Sequence, residues 1–196
     1  MNEIAKIFKN KKCLITYLTA GDPDIDKTAQ YIIAMSKSGA DLIEIGIPFS
    51  DPTAEGEVIQ NAMSRALKND ISIDDIFKAV AEVKKEIDTP LVFMTYINPL
   101  LNYGYDKFFK KCKDAGICAV IVPDMPYEEQ SEIKEFTAKN GVSIITLIAP
   151  TSNERIKELA AQAQGFIYLV SSLGVTGVRS EITTDIRAII NEIKKV

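Results

Sequence analysis

The chain has 196 residues, 46% of them apolar and 26% charged, with a net charge of −4 and no histidine. This is one globular domain rather than two. No apolar run reaches the roughly 18 residues of a membrane span, the first residues lack the apolar stretch of a secretory signal, and no basic block offers a nucleic acid its phosphate contacts. The missing histidine removes Ser-His and Cys-His nucleophile schemes and His metal sites. The three cysteines, Cys13, Cys112 and Cys118, form no CxxC pair, so no metal is expected and a reducing, cytoplasmic setting is. Acid–base chemistry then falls to carboxylates, Tyr, Lys or Cys.

Taken in order, short runs rich in Ile, Val and Leu alternate with stretches of helical period. A strand is predicted over Cys13–Leu18, a helix over Thr28–Lys37, and a second strand over Asp41–Ile47. Helical spacing returns at Val58, Ile59, Ala62, Met63, Ala66 and Leu67. A further helix opens at Ser72, where Asp75 three residues on predicts a capping box, and buries Ile76, Phe77, Val80, Val83 and Ile87. Then come a strand over Leu91–Tyr96, a helix near Lys107–Lys113, a strand over Ala119–Val122 and a helix over Tyr127–Lys139. A strand over Ser143–Ile148 follows, then a helix opened by Thr151 and Glu154, a strand over Phe166–Val170, and a last helix over Thr184–Lys195. Gly39, Gly116, Gly141 and Gly165 each separate a helix from the next strand, as in short αβ loops. Continuous apolar strands are buried on both faces, which means a parallel sheet covered by helices. Six βα units leave an open doubly wound sheet or most of a (β/α)8 barrel, whose full form takes about 250 residues.

In such folds the chemistry sits at the carboxyl ends of the strands. Glu44 stands out, because it interrupts the apolar run Leu42-Ile43-Glu44-Ile45-Gly46-Ile47. A lone carboxylate there costs several kcal/mol, so burial raises its pKa or a partner offsets it. Two readings stay open: a proton-transfer group, or a carboxylate bonded to backbone or to a helix Lys. Glu55 lies in Ser50-Asp51-Pro52-Thr53-Ala54-Glu55-Gly56-Glu57, which alone reads as a solvated loop. Ser171-Ser172-Leu173-Gly174-Val175-Thr176-Gly177 has the spacing of a flexible lid or an ordinary loop. Tyr17, Tyr96 and Tyr168 lie on predicted strands, either as an aromatic slot or as core packing.

The run Glu44-Ile45-Gly46-Ile47-Pro48-Phe49-Ser50-Asp51-Pro52-Thr53-Ala54-Glu55-Gly56 resembles the signature of the tryptophan synthase alpha subunit family. The segments Thr16–Pro23, Met94–Pro99, Ile121–Pro126, Leu147–Thr151 and Phe166–Gly177 resemble that family's successive strand ends, in order. The resemblance implies a (β/α)8 TIM barrel that cleaves indole-3-glycerol phosphate into indole and glyceraldehyde 3-phosphate in tryptophan biosynthesis. It implies Glu44 as general acid–base and Glu55 as acceptor of the indole N–H. It places Tyr17, Met94, Ile121, Leu147 and Tyr168 around the indole, with Thr176 and Gly177 in the lid and Thr176 bonding Glu55. It also implies a beta subunit that carries pyridoxal phosphate and receives indole in an alpha2beta2 assembly, while this chain holds no cofactor. Asp51, Pro52, Asn98, Pro99 and Leu100 match the partner-facing surface.

Two departures matter. Glu55 stands where the family usually has Asp, and a carboxylate displaced by about an ångström costs on the order of a hundredfold in rate. The chain also ends before strands seven and eight, whose loops commonly hold phosphate in such barrels. A truncated, single-domain barrel over residues 1–196 is therefore expected. The alternative to a lyase is a catalytically weak scaffold that binds and activates a beta-type partner.

Overall fold

The apolar runs fold as parallel strands whose alternate residues divide between two cores. The computed structural model describes residues 3–9, 11–171, 174–175, 177 and 184–196. The order begins α1 (Glu3–Ile7), β1 (Ile15–Thr19), α2 (Ile25–Lys37), β2 (Leu42–Gly46), α3 (Glu57–Leu67), α4 (Ile73–Val83), β3 (Leu91–Met94), α5 (Ile97–Tyr103), α6 (Tyr105–Asp114) and β4 (Ile117–Ile121). A 3-10 segment (Tyr127–Glu132) leads to α7 (Lys134–Asn140), β5 (Ser143–Ile144) and β6 (Thr146–Ile148). A second 3-10 segment (Pro150–Arg155) leads to α8 (Ile156–Gln162), β7 (Ile167–Leu169) and α9 (Ile186–Ile193).

Strands β1 to β5 form one parallel sheet in sequence order, and β6 pairs in parallel with β7. β5 and β6 are the two halves of the predicted strand Ser143–Ile148. They part at Ile145, whose N–H donates to the Val120 carbonyl at 3.0 Å. The first half pairs with β4 and the second with β7, so the chain turns a corner there.

Ile43, Ile45, Phe93 and Val120 face outward onto Ile76, Phe77, Val80, Phe108 and Phe109 of the helices. Leu42, Val92, Met94, Ala119, Ile121 and Ile145 face the other way and pack with Tyr17, Leu147 and Tyr168. Inner residues of β1 to β4, β6 and β7, with Ile145 at the corner between β5 and β6, thus share one interior, which is the curvature of a (β/α)8 barrel. Helix α1, which the periodicity did not predict, sends the fully buried Ile4 into this interior. Ile4 lies against Gly165, just before β7, and so closes the amino-terminal end.

The cap predicted for α4 is present: the Ser72 hydroxyl accepts the Asp75 N–H, and the Asp75 carboxylate accepts the Ser72 N–H. α5 begins at Ile97, with Asn98 and Pro99 in its first turn. Three predictions are corrected. The helix predicted over Tyr127–Lys139 is a 3-10 segment followed by α7. Thr151 does not open α8, which starts after a 3-10 segment with no side-chain cap. Val58 points to solvent, 77% exposed, while Ala62, Met63 and Ala66 form the buried stripe of α3.

Candidate active site

β2 alternates, so Glu44 shares the inward face with Leu42 and Gly46 rather than the helix-covered face of Ile43 and Ile45. Its side chain forms part of the wall of a cavity of about 570 Å3 at the carboxyl ends of the strands. That volume lies within the roughly 300–1,000 Å3 of small-molecule sites. Tyr17, Met94, Leu147 and Tyr168 supply further wall from four other strands. Glu55, Ile59, Pro123 and Gly177 close it from the loops and the first turn of α3.

Glu44 is only 5% exposed. Its carboxyl has no ion pair or hydrogen bond among the described residues, so the reading that paired it with a helix Lys does not hold. Burial first, and the nearby Glu55 second, push its pKa up to about 7.

Glu55 is 3% exposed, unlike its neighbours Asp51 and Glu57, which are the solvated acids of this loop. Its backbone is held on two sides. The Gln60 side-chain amide donates to the Glu55 carbonyl at 2.7 Å. The Tyr96 hydroxyl accepts the Ala54 N–H at 3.0 Å. The Tyr96 ring is 1% exposed and packs against Phe49 at 5.4 Å, and its phenol is pushed up to about 12, chiefly by burial. Burial also raises the phenols of Tyr17 and Tyr168, with both carboxylates adding to the effect.

Of the residues singled out by sequence, Tyr17, Glu44, Glu55, Met94, Leu147, Tyr168 and Gly177 meet at this cavity. Thr176 lies outside the described residues. Ile121 is fully buried in the inner core with Met94, Leu147 and Tyr168, and the cavity wall at the end of β4 is Pro123, two residues on. In the partner-facing set, Asp51 and Asn98 are exposed and Pro52 and Pro99 partly so. Leu100 is corrected, because it is fully buried, and the exposed apolar residue of α5 is Leu101 at 60%. Sequence reasoning missed Ile59, Gln60 and the hydroxyl of Tyr96. The first reads as a core position of α3, and the last two act only through the fold. Among the described residues, no cluster of three or more Cys, Asp or Glu is placed to hold a metal ion, and no helix is long and apolar enough to cross a membrane.

The family model of the tryptophan synthase alpha chain matches residues 4–196. The tryptophan synthase alpha chain of Lacticaseibacillus casei is 45% identical over 195 residues, covering all of this chain and 73% of its own length. A structure of Mycobacterium tuberculosis tryptophan synthase superposes with a TM-score of 0.90 at 32% identity, over all of this chain and 77% of that one. A Pyrococcus furiosus structure, described as the tryptophan synthase a2b2 complex, gives 0.84 at 38% identity over 94% of this chain and 74% of that one. Strand order, inward Glu44 and loop Glu55 agree with the match along the whole sequence: the chain belongs to the tryptophan synthase alpha chain family, with that family's role as a lyase in tryptophan synthesis.

Proposed function

We propose that this chain cleaves indole-3-glycerol phosphate into indole and glyceraldehyde 3-phosphate, with Glu44 and Glu55 doing the chemistry. The observation that carries this reading is Glu44 itself, a buried carboxyl on the cavity wall with no hydrogen-bond or ion-pair partner among the described residues and its pKa lifted to about 7. In a retro-aldol cleavage the bond between ring carbon 3 and the side chain breaks. Carbon 3 gains a proton, the adjacent hydroxyl loses one, and no net proton is consumed. A carboxyl that titrates near neutrality is available in both forms: protonated Glu44 supplies carbon 3, and its ionised form takes the hydroxyl proton. Glu55, as a carboxylate across the same cavity, accepts the indole N–H and raises electron density at carbon 3. Tyr17 and Tyr168 offer the flat walls an aromatic ring prefers.

None of these steps draws on a cofactor in this chain. The partner we assign is a beta chain carrying pyridoxal phosphate, which takes up the indole in an alpha2beta2 assembly like the a2b2 complex of the Pyrococcus furiosus protein. Its docking faces would be the Asp51-Pro52 loop and the outer side of α5, with Asn98 and Pro99. The three cysteines are free thiols, which fits a reducing cytoplasm.

The test is indole release in the presence of a beta chain. Glu44→Gln should lower turnover by about a hundredfold or more while indole still binds. An unchanged rate removes Glu44 from the reaction and the reading with it.

A further inference from the structure

Most glycines in this chain sit in turns, but Gly46 does not. It is buried in β2, and its φ lies outside the left-handed region, so the backbone there suits any residue. What forbids a side chain is the space above it. A Cβ at position 46 would lie 2.1 Å from the Tyr17 hydroxyl oxygen, 2.8 Å from Cζ and 3.0 Å from Cε2. The register explains why. On the paired strands, Tyr17 stands opposite Glu44 and Thr19 opposite Gly46. The Tyr17 ring leans forward along β1 until its hydroxyl is 3.3 Å from the Thr19 hydroxyl, and the end of the ring comes down on the bare α-carbon of Gly46. Gly46 is therefore absent from the cavity wall, while Tyr17, which covers it, is part of that wall beside Glu44.

We infer that Gly46 is a positioning residue that sets the width of the cavity: it is the seat on which Tyr17 lies, and the pair together decides how large a flat heterocycle fits against Glu44. The inference rests on the cavity being an indole site. A methyl group at 46 has one direction in which to push. Below it is the β2 backbone, so the ring lifts away from the strand and into the cavity. Substrate discrimination at this wall then depends on a residue that never touches the substrate.

Indole itself is the probe, titrated by NMR into the full chain and into Gly46→Ala, Tyr17→Ala and the double variant, with circular dichroism confirming that each is folded. With Tyr17 present, Gly46→Ala should weaken indole binding by about tenfold or more, the scale of one overpacked contact. With Tyr17 replaced by Ala the same change should cost about twofold or less, because nothing remains to be displaced. An equal loss in both backgrounds, or no loss with Tyr17 present, overturns the inference. Should Gly46→Ala fail to fold, Tyr17→Ala alone decides, since an opened wall should shift preference from indole towards the larger carbazole. An unchanged ratio of the two affinities overturns the inference by that route. The outcome is separable from the lyase reading: a Glu44→Gln enzyme that still turns over defeats the chemistry but leaves the coupling between positions 17 and 46 intact. A chain that binds no indole defeats both.

Discussion

At the scale of single residues, Glu44 makes a claim about stability as well as catalysis. Its pKa is about 7 in the folded chain against an ordinary value of 4.5, with burial as the main cause. Between those pH values the native state keeps a proton that the unfolded chain has released. Stability therefore falls as pH rises from about 4.5 to about 7, and stays lowered above that. The difference amounts to about 3 kcal/mol at full effect, and with the side chain only 5% exposed there is little solvent to screen it. Glutamine has no such titration. Glu44→Gln should accordingly gain about 3 kcal/mol over the parent between about pH 4 and about pH 8, read as the difference in urea-unfolding free energy at the two pH values. A gap that does not widen towards alkaline pH would mean that Glu44 is ionised in the native state without penalty. Glu44 was legible in the sequence because a carboxylate inside an apolar strand run has few physical explanations. Gly46, two residues on in the same run, was not. Its reason is a ring on the neighbouring strand, and only the register of β1 on β2 brings the two together.

At the scale of elements, what matters is how loops are held. The loop between β2 and α3 carries Glu55, and its grip comes from outside itself: Tyr96, just past β3, and Gln60, on the first turns of α3. Tyr96→Phe keeps the ring against Phe49 but leaves the Ala54 N–H without its acceptor. An unsatisfied donor costs about 1–3 kcal/mol when buried; this one is partly buried, which puts it at the lower end, and its loss also loosens the loop next to Glu55. The expected result is a thermal midpoint lowered by a few degrees and turnover reduced more than indole affinity, since Glu55 would still be present but less well aimed. Loss of affinity with full turnover would instead assign Tyr96 to the pocket wall. Local signals carry some elements and not others. Ser72 and Asp75 announce the start of α4 because the cap is made within four residues. The start of α5 is invisible by the same logic, because the group that holds its first N–H is Asp124, which accepts from Ile97 at 3.0 Å across 27 residues of sequence. Pro99 within the first turn of that helix looks like a breaker, yet a first-turn N–H has no partner to lose.

At the scale of the whole molecule, the strands separate an outer core under the helices from an inner one that opens into the cavity, and α5 stands at the rim, where a partner would dock. Its consecutive leucines face opposite ways. Leu100 is fully buried in the outer core, and Leu101 is 60% exposed. The two make opposite predictions. Leu100→Ala empties a close-packed position and should cost about 2–5 kcal/mol of stability, while affinity for a beta chain stays near the parent value as long as the protein is folded. Leu101→Asp removes no buried contact, so the melting temperature should stay within about a degree. It does place a charge on the apolar part of the proposed docking face, and association with the beta chain should weaken by at least about tenfold. Calorimetry with the purified beta chain, alongside a thermal melt of each variant, separates the two effects. If Leu101→Asp binds the beta chain as tightly as the parent, the outer side of α5 is not the docking face, and the Asp51-Pro52 loop would have to hold the partner without it.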